Sequence, residues 1–404
     1  MAARLPEGAA IIGQSGGPTA VINQSLVGVI EGLKGYPAIK KIFGMRHGVD
    51  GLIKHLPLVD LSSLSSDNLE KLAKTPSAYL GSSRNKPTEA DGPKIFEACK
   101  ASDIRYFFYI GGNDSSDTCR IVFELCQKSG YEMRCFHVPK TVDNDLVMND
   151  HTPGYGSAAR FVAMAFMADD RDNASLPGIK INVVMGRNAG FLTAAASLAR
   201  QKPGDGPHLI YLPEVPFDTD RFVEDVKGVV GKYGRCQIAV SEGIKDKEGV
   251  DIGAKLIVGG QADAHGNAQL SGSGALGDML SNLIKDKFKS PSGKPPRVRA
   301  DTLGYMQRCW PDYSIVDAQE ARAVGNFAAK EAMSGFSDGS IAIQRLSNHP
   351  YKIEKRLVRL AEVAAKTRHM PPEFIAANGH DVTDRFVEYC RPLVGELPVF
   401  FKPE

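Results

Sequence analysis

Residues 105–130 read RYFFYIGGNDSSDTCRIVFELCQKSG. The aromatic and β-branched run 106–110, closed by a charge before it and glycines after it, predicts a buried strand of a parallel sheet. Gly111 and Gly112 permit a sharp turn and let a ligand approach bare backbone. Asn113, Asp114, Ser115, Ser116 and Asp117 supply polar groups suited to a helix start. Cys119, Val122, Phe123 and Cys126 then recur at i, i+3, i+4 and i+7, an apolar helical stripe. Strand, glycine turn and helix start together predict an anion site, because unpaired N–H groups and the helix dipole converge there. Asp114 is the anomaly, a carboxylate where an anion is expected to dock.

The same grammar recurs outward from this unit. Residues 9–12 predict a short apolar strand, 13–17 a glycine-rich turn, and Ile22, Leu26, Val29 and Leu33 one face of a helix that ends at Gly35. A strand-like run follows at 41–45, a capped helix within 60–78, and a loop with one basic tip at 79–84. Beyond the central unit come a strand at 135–139, the acidic loop PKTVDNDL, a helix over 154–169, and strands at 179–185, 208–212 and 237–240. These last end in GRNAG, in Pro213 and Glu214, and in SEG. RVRADTLGYMQR resumes a strand, 317–333 an alanine-rich helix, and the last sixty residues read as mostly helix and loop. Residues 251–275 read as an exposed Gly-rich insertion and 289–296 as a linker. Strands alternating with helices, with polar glycine-bearing loops at strand C-terminal ends, predict doubly wound α/β architecture with ligands at those ends.

At 404 residues the chain is long enough for two domains. Hydrophobic residues at 43% and charged residues at 24% are ordinary for a globular protein. A net charge of +2 with no basic stripe argues against nucleic acid as a partner. The basic residues of 352–359, interleaved with apolar ones, read as a solvated helix face. Seven cysteines without a CxxC pair read as reduced core thiols of a cytoplasmic protein. MAARLPEGAA has no apolar leader core, so no signal peptide is expected. No apolar run is long enough to span a membrane.

Two segments, 154–159 (GYGSAA) and 272–277 (GSGALG), match the dinucleotide fingerprint, but neither follows an apolar strand, so a nicotinamide oxidoreductase is disfavoured. No Walker lysine loop and no protein-kinase motif set is present. PKTVDND, residues 139–145, carries the strongest signal. Lys140, Thr141, Asp143 and Asp145 cluster directly after a strand, with the two carboxylates alternating on an extended loop. One carboxylate can accept a proton while the other helps hold a cation. Arg84, Arg187, Arg299 and Arg308 each sit in a loop or at a strand end, as recognition of a phosphate-bearing substrate requires. The histidines lack metal spacing and read as structural or surface residues.

GQSGGPTAVIN, LGSSR, IGGNDS, PKTVDND, MGRNAG, SEG and GYMQR occur in the order found in phosphofructokinases, and the chain resembles that family over residues 9–330. The insertion and the C-terminal tail are similar to its longer, pyrophosphate-dependent branch. The resemblance implies two Rossmann-like domains with the active site in the cleft between them. The phosphoryl-donor domain would be 1–153 plus about 307–350, and the sugar-phosphate domain 154–306 plus about 351–404. It also implies a homodimer or homotetramer that uses Mg²⁺ and phosphorylates the 1-hydroxyl of fructose 6-phosphate. An ATP-dependent or sedoheptulose-7-phosphate-preferring enzyme, and a non-catalytic regulatory subunit, are the alternatives.

The resemblance further implies roles. Gly16 would offer its N–H to the transferred phosphate, Arg84 would lie on the phosphoryl group in flight, and Asp143 would be the base. Thr141, Val142 and Asp145 would flank that base. Met185, Gly186, Arg187, Glu242, Arg299, Tyr305, Met306, Gln307 and Arg308 would bind the sugar phosphate. ATP-using relatives typically carry glycine at the positions of Asp114 and Lys140. Here Asp114 would exclude a third phosphate and Lys140 would attract pyrophosphate. Asn113 stands where the family usually has a magnesium-linked aspartate. Gly178 stands where ATP-using relatives carry an arginine that reaches across a subunit interface, with Lys180 as its candidate substitute.

Overall fold

A computed structural model describes residues 5–88, 90–256, 273–288 and 295–401. Most of the expected insertion (257–272) and most of the expected linker (289–294) lie outside the described residues, as does Gly272 of the second fingerprint. Eleven strands are present among the described residues. They are β1 (Gly8–Gln14), β2 (Ile39–Gly44), β3 (Val59–Asp60), β4 (Ile104–Gly111), β5 (Arg134–Pro139), β6 (Ile179–Val184), β7 (Leu209–Tyr211), β8 (Cys236–Ser241), β9 (Val298–Thr302), β10 (Asp338–Asn348) and β11 (Tyr351–Val358). The chain divides into two α/β units. The first comprises 1–142, 146–157 and 308–368, and the second 143–145, 158–307 and 369–404.

The first unit holds a seven-stranded sheet in the order β11-β10-β5-β4-β1-β2-β3. The quoted stretch supplies its centre, for every residue of 106–111 is buried. Alternation of side chains along a strand sends Tyr106, Phe108 and Ile110 into one apolar core and Phe107 and Tyr109 into another. The Ile22–Leu33 and Ile315–Met333 helices cover the first face and the Asn113–Ser129 helix the second. That is double winding, built from a strand apolar on both sides. The first-face helices cross closely. A Cβ on Gly28 would fall 2.1 Å from the Arg322 carbonyl, and one on Gly325 2.2 Å from that of Ser25.

The second unit holds a four-stranded parallel sheet in the order β7-β8-β6-β9. Ile179, Ile181 and Val183 face a core closed by the Thr219–Tyr233 and Ala275–Lys287 helices. On the opposite face, Asn182 donates to Asp169 of the Tyr155–Ser175 helix at 2.8 Å.

The C-terminal region differs from expectation. Residues 351–358 are a strand antiparallel to β10, so the basic stretch lies on a sheet edge rather than on a helix. Lys352, Glu354 and Arg356 alternate with Ile353, Lys355 and Leu357, and Ile353 and Leu357 pack on the first-face core. The period of two, not the charge, was the usable signal. This pairing carries 351–368 into the first unit, whereas 350 was the expected boundary. Gly274 is the N-cap of the Ala275–Lys287 helix, and Ser273 before it is irregular.

Candidate active site

In the first unit three parallel strands deliver three loops to one edge. Gln14 is in register with Ile110, and Gly111 with Pro139. The glycine turn after β1, the helix start after β4 and the Lys140 start of the loop after β5 therefore lie side by side at strand C-terminal ends. Ser15 N–H donates to the Ile110 carbonyl at 2.9 Å, and Ser115 Oγ to Ser15 Oγ at 2.9 Å. Lys140 N–H donates to the Gly111 carbonyl at 2.9 Å. Gly111 cannot carry a side chain, since a Cβ there would lie 1.9 Å from Ser115 Oγ.

Lys140 is only 3% exposed, and its Nζ donates to the Gly17 carbonyl at 2.6 Å. A Cβ on Gly16, whose φ is +75°, would lie 3.2 Å from that Nζ. The lysine thus closes over the glycine turn rather than pointing to solvent. Beneath it, His137 Nε2 donates to the Gly111 carbonyl at 2.9 Å and Nδ1 lies 2.8 Å from Ser340 Oγ. Burial, seconded by the Lys140 charge, pushes His137 down to about 4 and keeps it neutral. Asp114 is exposed in the first turn of the Asn113–Ser129 helix, where the dipole favours its charge.

One expectation changes here. Gly16 N–H donates to the Ser83 carbonyl at 2.8 Å, and its own carbonyl accepts from Ser82 Oγ at 2.6 Å. Gly16 therefore ties the turn to the Arg84 loop instead of presenting its N–H to a phosphate. Arg308, expected on the sugar phosphate, lies in the first unit, its Cζ 3.0 Å from where a Gly17 Cβ would be.

Arg84 is exposed on a tethered loop. Ser83 Oγ and Asn85 Nδ2 donate to the Asp50 carboxylate at 2.8 Å each, and Lys86 Nζ lies 2.6 Å from Asp117 Oδ2. Arg120 meets the other Asp117 oxygen at 2.8 Å. Burial pushes the Asp117 carboxyl up, but its hydrogen bonds to Lys86 and Arg120 outweigh this and hold it below the ordinary value. The Asp117 contribution is accordingly complete above the ordinary aspartate value and lost as pH falls through the lowered one. Asp117→Asn is expected to cost about 1–3 kcal/mol of stability at neutral pH. Chemical denaturation should show that cost shrinking as pH falls through the lowered value.

In the second unit Asp143 and Asp145 flank Asn144, which is fully buried and donates from Nδ2 to Tyr389 Oη at 2.7 Å. Asn144 has a φ of +59°, so the segment is kinked through a left-handed residue rather than extended. The two carboxylates are separated by an anchored side chain. Thr141 and Val142, which lead into them, belong to the first unit, where Val142 is buried.

Met185, Gly186, Glu242 and Gln307 come together at the ends of β6 and β8. Met185 N–H donates to Gln307 Oε1 at 3.3 Å, Gly186 N–H to Glu242 Oε1 at 3.4 Å, and Ser241 Oγ to the Gly186 carbonyl at 2.6 Å. Gly186 adopts φ +129°, and Gly243 is packed against the Arg187 backbone. Tyr305 and Met306 are 45% and 60% exposed beside them in sequence. Arg299 does not join this group. It pairs with Lys180 at the start of β6, a strand length from Met185. Lys180 does not replace the missing arginine, being held by Asp169 at 2.8 Å and Asp301 at 3.3 Å. Gly178 has no room for a side chain, since a Cβ would lie 2.8 Å from the Arg297 carbonyl.

Glu214 received no role from sequence. Its Oε1 accepts from Gly190 N–H at 2.9 Å and Met370 N–H at 3.1 Å, while His369 Nδ1 donates to the Asn188 carbonyl at 2.9 Å. The Arg187 loop is thereby clamped from the far C-terminal segment. Burial pushes the Glu214 carboxyl up. Its position just past a strand's C-terminal end, like that of Glu242, was the available signal.

Glycine turns at strand C-terminal ends suit phosphate groups, and loop carboxylates can take a hydroxyl proton, which is the chemistry a phosphotransferase uses. The chain belongs to the phosphofructokinase family, whose profile matches residues 9–331. A pyrophosphate–fructose 6-phosphate 1-phosphotransferase of Rhodospirillum rubrum is 53% identical over 390 residues, covering 96% of this chain and 95% of the relative. One of the same description from Halomonas elongata is 37% identical over 396 residues, covering 95% and 91%. The crystal structure of a pyrophosphate-dependent phosphofructokinase from Nitrosospira multiformis superposes with a TM-score of 0.84 at 34% identity, covering 98% of this chain and 94% of that one.

Proposed function

We propose that this chain transfers a phosphoryl group, reversibly, from pyrophosphate to the 1-hydroxyl of fructose 6-phosphate. Lys140 carries the reading: a buried ammonium seated on the Gly17 carbonyl narrows the phosphate turn and adds charge for a compact, highly charged donor. Asp114, at the start of the adjoining helix, opposes a longer nucleotide by charge. The names borne by near-full-length relatives support the same donor.

Transfer of this kind demands alignment and charge neutralisation more than covalent chemistry. Asp143 takes the proton as the 1-hydroxyl attacks, and Thr141 and Asp145 hold the approach on either side. Arg84 neutralises the moving phosphoryl group. Met185, Gly186, Arg187, Glu242 and Gln307 hold the sugar phosphate, with Tyr305 and Met306 on the rim. Arg308 sits with the donor turn.

A divalent metal accompanies this reaction in the family, and we assign Mg²⁺. Among the described residues no group of three His, Cys, Asp or Glu is arranged as a metal cage. The hard oxygen donors Asn113 and Asp145 suit a magnesium ion held mainly by phosphate oxygens and water. Bound Mg²⁺ would supply neutralisation of the phosphate charge. Asn113 would contribute its amide oxygen, directly or through water.

A homodimer or homotetramer accounts for Arg299, whose place away from Met185 suits the sugar site of a second copy. Seven free thiols, six of them buried, support a cytoplasmic location. No helix among the described residues is long and apolar enough to cross a membrane. Steady-state rates with pyrophosphate and with ATP, each against fructose 6-phosphate and sedoheptulose 7-phosphate, test the proposal. Turnover with pyrophosphate and fructose 6-phosphate is expected, and a preference for ATP would overturn it.

A further inference from the structure

We infer that Asp317 and Glu320, one turn apart on the Ile315–Met333 helix, are positioning residues for the loop that carries Thr141 and Asp143. The inference rests on the reading of Asp143 as base. Both acids are buried, at 3% and 7% exposure. Buried carboxylates persist only where donors or cations meet them, and here the Asp317 partners and the cationic partner of Glu320 lie in one segment, residues 150–157.

Asp317 closes the N-terminal end of the Tyr155–Ser175 helix from outside it. Its Oδ1 accepts from Gly154 N–H at 2.8 Å. Its Oδ2 accepts from Ser157 N–H at 2.9 Å and from Ser157 Oγ at 2.5 Å. Unpaired first-turn N–H groups are thus satisfied by a residue 160 positions away in sequence. Glu320 Oε2 lies 2.6 Å from His151 Nε2, and its Oε1 accepts from Tyr351 Oη at 2.6 Å. Asp150 meets His151 Nδ1 at 2.7 Å. Burial disfavours the imidazolium, but Glu320 and Asp150 outweigh it and raise His151 to about 9, so the pairing is ionic at neutral pH.

The segment so held grips Thr141 by both backbone groups. Thr141 N–H donates to the Pro153 carbonyl at 3.2 Å, Thr152 Oγ1 donates to the Thr141 carbonyl at 2.9 Å, and Thr141 bridges Gly154 in parallel register. Gly154, at φ +105°, leaves space for Thr19, since a Cβ there would lie 2.7 Å from Thr19 Cγ2. Only Val142 separates Thr141 from Asp143. The chain of contacts runs from the helix acids, through 150–157, to the residue two before the base.

Asp317→Asn leaves one acceptor oxygen where two are used, so either Gly154 N–H or the Ser157 pair must face an amide NH₂ instead. It is expected to lower kcat by about tenfold to a hundredfold, the cost of a small misplacement at the reacting centre. KM for pyrophosphate should stay within about threefold, because donor binding does not run through this segment. Hydrogen exchange of the Thr141 amide, followed by mass spectrometry, should accelerate at least about tenfold well below Tm. Thr152→Val, which deletes one hydrogen bond to the Thr141 carbonyl, should move both quantities in the same direction and covers the case in which Asp317→Asn fails to fold. Unchanged exchange at Thr141, or an unchanged kcat in a folded variant of lowered Tm, overturns the inference. Absence of pyrophosphate-dependent turnover in the unsubstituted protein would instead overturn the functional reading, and the exchange measurement would still decide this one.

Discussion

Asp143→Asn is expected to lower kcat by about 10²–10⁴-fold, the usual contribution of a positioned general base. The sugar hydroxyl is a poor nucleophile until its proton has a destination, and asparagine cannot accept it. Fructose 6-phosphate should still bind, because Met185, Gly186, Glu242 and Gln307 hold one another without Asp143. The anchor of the segment also survives, since Asn144 keeps its bond to Tyr389 at 2.7 Å. The measurement pairs single-turnover rates with a calorimetric Kd for the sugar phosphate. A loss confined to binding, with the chemical step intact, would assign Asp143 to the substrate pocket instead.

Asp114→Gly combined with Lys140→Gly is expected to shift donor preference toward ATP. Lys140 occupies the space above the glycine turn, and Asp114 is exposed at the helix start. Removing the first opens room and removes charge suited to pyrophosphate. Removing the second ends a like-charge encounter with a longer polyphosphate, worth several kcal/mol. With tenfold for each ~1.4 kcal/mol, the ratio of kcat/KM for ATP to that for pyrophosphate should rise by about a hundredfold or more. Comparison of both donors at saturating sugar phosphate checks it. If ATP use does not rise and pyrophosphate use is unimpaired, these two residues do not set the donor.

The site was legible where its chemistry is local. The run 106–114 announces a strand, a turn and a helix start within nine residues, and PKTVDND concentrates its groups in seven. Both read correctly as strand-end loops because each strand and its turn are consecutive in the chain. The Gly16 N–H was misread because its partner, Ser83, lies in another loop. That Arg299 lies at the far end of β6 from Met185 follows from parallel register, which sequence spacing from Tyr305 does not record. The basic run 352–359 was misread because charge was weighted above its period of two.

Local sequence was enough for the alternation of strands and helices, the doubly apolar central strand and the place of the glycine turns at strand ends. All of these follow from side-chain periodicity and from backbone freedom at glycine. Tertiary structure alone decided that Lys140 closes on Gly17, 123 positions away, and that Asp317 and Glu320 hold the segment behind Thr141. It also decided that β11 completes the first sheet. The physical reason is common to all three. A buried charge or an edge strand must find its partner, and the chain supplies that partner from wherever folding brings it, which no local pattern records.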